Sequence, residues 1–177
     1  MKETGIVRRI DELGRVVIPK EIRRTLRLKE SDPLEIFTER DMLCFKKYSP
    51  ITSIADFAEG ICATLNDFTG RLALVTDGDV VLCAKGQRAK EYIGERIVKE
   101  VYDILAARRA VYLDGATEEN TRRLTMNGEK PFDNLFIAPS VSGGDMIGGV
   151  ILCGGERFTD VETVLVRSCA DILSRQF

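Results

Sequence analysis

Residues 5–47 read GIVRRIDELGRVVIPKEIRRTLRLKESDPLEIFTERDMLCFKK, and this stretch decides the fold of the N-terminal part of the chain. Its apolar period makes residues 5–10 and 15–18 strand-like, joined by the turn Asp11-Glu12-Leu13-Gly14. Pro19 suits a first helical position, where its missing N–H costs nothing, and the helix is expected to reach Arg27 or Leu28. Ser31-Asp32-Pro33 makes a turn. Residues 34–38 and 42–47 then read as a second hairpin around Glu39-Arg40-Asp41.

Charge gives the stretch its functional reading. Lys20, Arg23, Arg24 and Arg27 are spaced i, i+3, i+4, i+7 and share one helix face, while Ile22 and Leu26 lie opposite and can reach a core. Arg8, Arg9 and Arg15 add cations on the preceding hairpin. Like charges this dense repel one another unless a polyanion neutralises them, and a nucleic-acid backbone is the obvious one. The blander reading, a solvated helix face, weakens once the hairpin arginines are counted with it.

The run TGIVRRIDELGRVVIPKEIRRTL resembles the DNA-binding domain of AbrB-type transition-state regulators. The motif match covers residues 2–50; beyond it the resemblance rests on architecture and length. It implies a swapped-hairpin β-barrel in which two chains exchange hairpins, an obligate homodimer with arginines facing double-stranded DNA. The family's DNA-contact positions fall on Arg8, Arg9, Arg15, Arg23 and Arg24; Lys20 and Arg27 join them through the shared helix face. Arg27 is a departure, since the AbrB-like pattern often has glycine there, and it leaves the end of the helix open. The resemblance further implies regulation of transition-state or sporulation genes and a GAF-like second domain.

The whole chain bounds the remaining possibilities. Its 177 residues suit one or two small domains, and 44% hydrophobic with 31% charged residues is a globular composition. No apolar run approaches the ~20 residues of a membrane span, and no apolar segment follows the N-terminal Met-Lys-Glu-Thr-Gly. A cytoplasmic protein without a signal peptide is expected. Cys44, Cys62, Cys83, Cys153 and Cys169 are odd in number and form no C-x-x-C pair, which favours free buried thiols over disulfides or a zinc site. The absence of histidine removes Ser-His-Asp and Cys-His catalysis. Residues 1–50 hold 12 Lys+Arg against 9 Asp+Glu, a net of +3, leaving 14 against 19, a net of −5, for the rest. Only the first part is therefore expected to meet nucleic acid.

Pro50 marks a domain boundary, giving domains 1–50 and 51–177. About fifty residues without disulfide or metal bury too little apolar surface alone, so dimerisation is expected on size as well. Residues 51–68 read as a helix with a seam of Ile54, Ala58, Ile61, Leu65 and Phe68, suited to contact with another helix. Residues 72–76 and 80–84 form a hairpin around Asp77-Gly78-Asp79. A long helix is expected over 88–108 and a strand over 110–113. The loop-rich segment 114–134 carries a short strand at 123–126. A hairpin of 135–141 and 146–152 comes next. The last helix, 161–174, is capped by Thr159 or Asp160 and buries Val161, Leu165, Cys169 and Ile172. This order describes an α+β chain whose second domain is an antiparallel sheet with packed helices, GAF-like by resemblance. Its first and last helices are expected to join dimers into a homotetramer.

Catalytic signatures are missing. The glycines at 143, 144, 148, 149, 154 and 155 follow no phosphate-loop pattern and suit turns and close packing. Asp77 and Asp79 flank a turn glycine, where turn-forming is the main use of Asp. Cys83 and Cys153 lie in apolar runs and read as core. No cofactor or metal is expected; the GAF-like resemblance leaves room for a small molecule of unknown class. The reading is a sequence-specific DNA-binding transcriptional regulator. An antitoxin is disfavoured by the long, well-patterned C-terminal part, and a GAF-like enzyme by the lack of a nucleophile–base set.

Overall fold

The computed structural model describes residues 5–49, 51, 54–115, 123–127 and 132–177, and the chain divides into two compact units, Met1–Tyr48 and Ser49–Phe177.

In the first unit Asp11 builds the expected turn. Its Oδ1 accepts from the N–H of Leu13 at 3.0 Å and of Arg15 at 2.8 Å, and Gly14 supplies a φ of +75°. The strands expected over 5–10 and 15–18 do not form within the single chain. A lone two-stranded ribbon is marginal without a third strand or a packed helix, and the described residues of this chain pair no other strand with these flanks. The helix α1 spans Lys20–Thr25. Pro19 is its N-cap rather than its first helical residue, with φ −56° and ψ 148°, and its carbonyl accepts from Arg23 N at 2.9 Å.

How α1 ends answers the question that Arg27 raised. Arg27 takes the left-handed conformation, φ +52°. Leu28 N donates back to Arg23 O at 2.8 Å, and Arg27 N to Arg24 O at 3.3 Å. This is the two-bond Schellman stop, whose left-handed position glycine fills without steric cost. Arg27 therefore lies past the helix and does not continue the stripe of Lys20, Arg23 and Arg24. Arg27→Gly should stabilise the first unit by about 1 kcal/mol. Urea unfolding followed on a signal from this unit checks it; an unchanged or lower midpoint contradicts it.

The strands β1, Leu34–Glu39, and β2, Met42–Lys47, pair antiparallel from Leu34↔Lys47 to Glu39↔Met42. The tip residue Arg40 is left-handed, φ +51°. Apart from Pro19, no described residue of this unit is buried; Val7 is 84% exposed, Val17 73% and Ile10 69%.

The second unit is a five-stranded antiparallel sheet in the order β4-β3-β7-β6-β5. Its strands are β3 Leu72–Thr76, β4 Val81–Lys85, β5 Val111–Leu113, β6 Asn134–Ser142 and β7 Asp145–Gly154. Alternation along β3 sends Ala73 and Val75 to one face and Leu72 and Leu74 to the other. The first face is covered by α2, Ala55–Thr69, and α4, Asp160–Ser174, through Ala58, Ile61, Leu65, Val166 and Leu173. The second is covered by α3, Lys99–Ala106, together with Tyr92, Ile97 and Leu124. A Cβ on Gly148 would meet Thr76 O at 2.2 Å, and one on Gly149 would meet Leu105 Cδ2 at 2.3 Å. These glycines are packing positions, as the sequence suggested.

Further expectations need correction in the second unit. The helix expected over 88–108 is a 3-10 turn, Ala89–Glu91, followed by α3. Gly94 at φ +82° interrupts it, and Ile97 turns inward, fully buried. The strand expected at 123–126 is only a bridge between Ile97 and Thr125. On α4 the buried residues are Val166, Cys169, Ala170 and Leu173, while Val161 and Ile172 are 77% and 49% exposed. Small Ala170 lets the helix backbone approach β6, where Ser140 Oγ donates to Ala170 O at 2.9 Å, and this rotates the buried face from the expected one.

The start of α4 is fixed electrostatically. Thr159 and Glu162 form a reciprocal capping box, and Glu162 Oε1 accepts from Arg71 Nε at 2.6 Å. Burial works to raise the Glu162 pKa, but the Arg71 and Thr159 hydrogen bonds outweigh it and hold the carboxyl below its ordinary 4.5. The stabilisation is then fully present above pH 4.5 and is lost as pH falls through the lower folded value. Glu162→Gln should cost about 1–2 kcal/mol at pH 7, with the difference from wild type shrinking below pH 4.5. Denaturant unfolding at several pH values checks this; a pH-independent difference contradicts it.

Candidate nucleic-acid interface

The basic residues of the first unit sit on three local scaffolds. Arg8 and Arg9 lie on the exposed segment leading into the Asp11 turn, and the Arg8 Nη1 donates to Val7 O at 3.0 Å. Arg15 leaves that turn with its Nε 2.8 Å from Asp11 Oδ2 and its side chain 70% exposed. Backbone and side-chain hydrogen bonds from Arg15 lower the Asp11 pKa. Arg15 is thus oriented before any ligand arrives, and a phosphate or base edge would share it with Asp11.

Lys20, Arg23 and Arg24 are exposed on α1, with Lys20 about one turn before the adjacent pair Arg23 and Arg24. The last two also occupy the last turn, where the negative end of the helix dipole favours cations. Arg27, half-buried at the left-handed position, flanks this group without sharing its helical face. Ile22 is half-buried as expected for the opposite face, but Leu26 remains 42% exposed. On β2, Lys47 Nζ is 3.1 Å from Asp32 Oδ2 and serves its own hairpin.

The second unit offers less for a reaction. Asp77 Oδ1 accepts from the N–H of Asp79 and Val80, both at 2.9 Å, which is a turn role. Asp79 Oδ2 lies 3.2 Å from Arg96 Nη2. Cys83 and Cys153 are buried core residues. A cleft of about 340 Å³ opens at one end of the sheet, lined by Arg71, Gln87, Arg88, Tyr92, Phe132 and Asp133 among others.

An arginine-bearing module of turn, short helix and hairpin, followed by an antiparallel sheet with helices on both faces, defines an α+β protein of two domains, AbrB-like and then GAF-like. Residues 53–177 match the family described as Stage V sporulation protein T C-terminal, transcription factor, and residues 7–51 match Antidote-toxin recognition MazE, bacterial antitoxin. The chain is 40% identical over 178 residues to Stage V sporulation protein T of Bacillus subtilis (strain 168), covering 99% of this chain and 98% of that one. It is 46% identical over 78 residues to the Transition state regulatory protein AbrB of the same organism, covering 44% of this chain and 81% of AbrB. The crystal structure of the GAF domain from Acinetobacter phosphoenolpyruvate-protein phosphotransferase superposes with a TM-score of 0.58 at 14% identity, over 69% of this chain and 80% of that domain. At that identity the likeness speaks for the fold alone. The chain belongs to the stage V sporulation protein T family of transcription factors.

Proposed function

We propose that this transcription regulator binds duplex DNA as a homodimer, through Arg8, Arg9, Arg15, Lys20, Arg23, Arg24 and Arg27 of each chain. The observation that carries the reading is the first unit itself: its cations are displayed on the Asp11 turn, the segments flanking it and α1, yet among its described residues only Pro19 is buried. A second copy exchanging hairpins would build residues 5–18 into a sheet and cover Val7, Ile10, Val16 and Val17. It would also double the basic surface. Phosphate contacts then supply much of the affinity, and some arginines reach guanine O6 and N7.

The GAF-like domain assembles or modulates these dimers. Its α2 and α4 touch each other on one sheet face and still expose Phe57, Phe68, Val161, Val164 and Ile172. These outward faces would join two dimers into a homotetramer. A small-molecule effector would fit the cleft at the end of the sheet. The reading is of a cytoplasmic, non-catalytic protein; among the described residues no helix is long and apolar enough to cross a membrane. The antitoxin reading has the match over residues 7–51 in its favour, but a folded sheet domain follows that module instead of a free toxin-wrapping tail.

Light scattering and salt-dependent operator titration together test this. The full chain should have four times the 19.8 kDa of one copy and lose DNA affinity steeply with salt. A folded monomer, or affinity indifferent to salt, contradicts the proposal.

A further inference from the structure

Cys62 and Cys83 are brought together only by the tertiary fold. Cys62 is on the sheet-facing side of α2 and Cys83 is on β4, 21 residues later. Their sulfurs lie 3.5 Å apart, and the Cys62 thiol is also 3.6 Å from the Cys83 carbonyl oxygen. Among the described residues no other two cysteine sulfurs lie within hydrogen-bonding distance; Cys44, Cys153 and Cys169 stand apart. Both residues of the pair are buried, Cys62 at 1% exposure and Cys83 at 5%. Yet β4 is the last strand of the sheet, with half-buried Leu82 and Ala84 on either side of Cys83.

We propose that Cys62 and Cys83 form a peroxide-oxidisable dithiol, whose oxidised state is a disulfide tying α2 to the edge strand β4. A disulfide needs its sulfurs about 2.0 Å apart, so the pair must close by roughly 1.5 Å. The two sulfurs are not equivalent. Hydrogen bonding between the two thiols, which either sulfur could donate, lowers the Cys83 pKa against the opposing effects of burial and the Glu59 carboxylate. The same bond, with burial, raises that of Cys62. Cys83, on the edge strand and the more exposed of the two, is the attacking sulfur and Cys62 the resolving one.

The steps balance with one hydrogen peroxide. The Cys83 thiolate attacks a peroxide oxygen, the O–O bond breaks, and hydroxide leaves to take up the former thiol proton as water. Cys83 is then a sulfenic acid. The Cys62 sulfur attacks Cys83 Sγ, the S–O bond breaks, and a second hydroxide departs with the Cys62 proton. Two thiols have lost two electrons and two protons, and the peroxide has become two waters.

The test uses the full-length reduced protein, exposed to hydrogen peroxide, then denatured and alkylated. Alkylatable thiols should fall from five to three, with residues 62 and 83 in one linked peptide that dithiothreitol releases. Closing this loop should also raise the thermal midpoint of the second unit by ~10 °C. Cys83→Ala should keep its four remaining thiols and show no such rise. Five alkylatable thiols after oxidation, or oxidation confined to Cys44 between chains, would overturn the proposal. The peptide map of the wild-type chain decides the matter even if the alanine variant folds poorly.

Discussion

Replacing Arg23 with Ala in every subunit should weaken operator binding by about 1–3 kcal/mol for each base that the arginine reads, and in a homodimer the penalty applies twice. If Arg23 touches phosphate instead, the weakening should be uniform across sequences and the salt slope should flatten by about 1 per phosphate. The side chain is exposed on α1, so truncation should leave the fold alone, which circular dichroism can verify. Arg8→Ala, Arg24→Ala and Arg15→Ala belong in the same mobility-shift titration. Arg15 differs from the others because its removal also takes away the Nε contact to Asp11 Oδ2, while the backbone N–H bonds to Oδ1 keep the turn. Unchanged affinity and unchanged salt slope in all four variants would remove the arginine surface from the DNA interface.

The second large effect separates two faces of one helix. Leu65→Asp should unfold the GAF-like domain, because Leu65 is fully buried between α2 and the sheet. An unpaired carboxylate there, with the missing packing, costs about 4–5 kcal/mol or more, a large share of a domain's whole stability. Ile61 belongs to the same core and should behave alike. Phe68 is 79% exposed and Val164 59% exposed. The double variant Phe68→Asp, Val164→Asp should keep its melting midpoint and secondary structure but fall from tetramer to dimer in light scattering. A tetramer that survives both changes would place the assembly face elsewhere. A Leu65→Asp protein that melts like wild type would mean that α2 does not pack as described.

These paired variants also mark where sequence reasoning about α2 stopped. The period of Ile54, Ala58, Ile61 and Leu65 correctly identified an apolar stripe, but a stripe does not say what covers it. Most of it packs on the chain's own sheet, and Phe68, counted as part of the same seam, points away from the core. The same ambiguity applies to α4, where Val161 and Ile172 match the helical period as well as Val166 and Leu173 do. Turns were more legible. Asp11-Glu12-Leu13-Gly14, Asp77-Gly78-Asp79 and the glycine pair 143–144 are set by local hydrogen bonds and left-handed backbone that few residues accept. Gly94 carried the same kind of information against a long helix, and the apolar period around it hid this.

Local chemistry thus determined much of the chain from sequence alone: an α+β make-up, a basic first module, its arginines, most strands of the sheet and the capping of α4. These follow from spacing, charge and backbone preference within a few residues of each other, which a sequence states directly. Tertiary structure alone decided which helix faces are buried, that Arg27 ends α1 in a glycine-like conformation, and that Cys62 meets Cys83. Each of these depends on the approach of segments distant in sequence, or on how a helix end settles against the next segment. Close packing selects one such arrangement among several that satisfy the same local pattern.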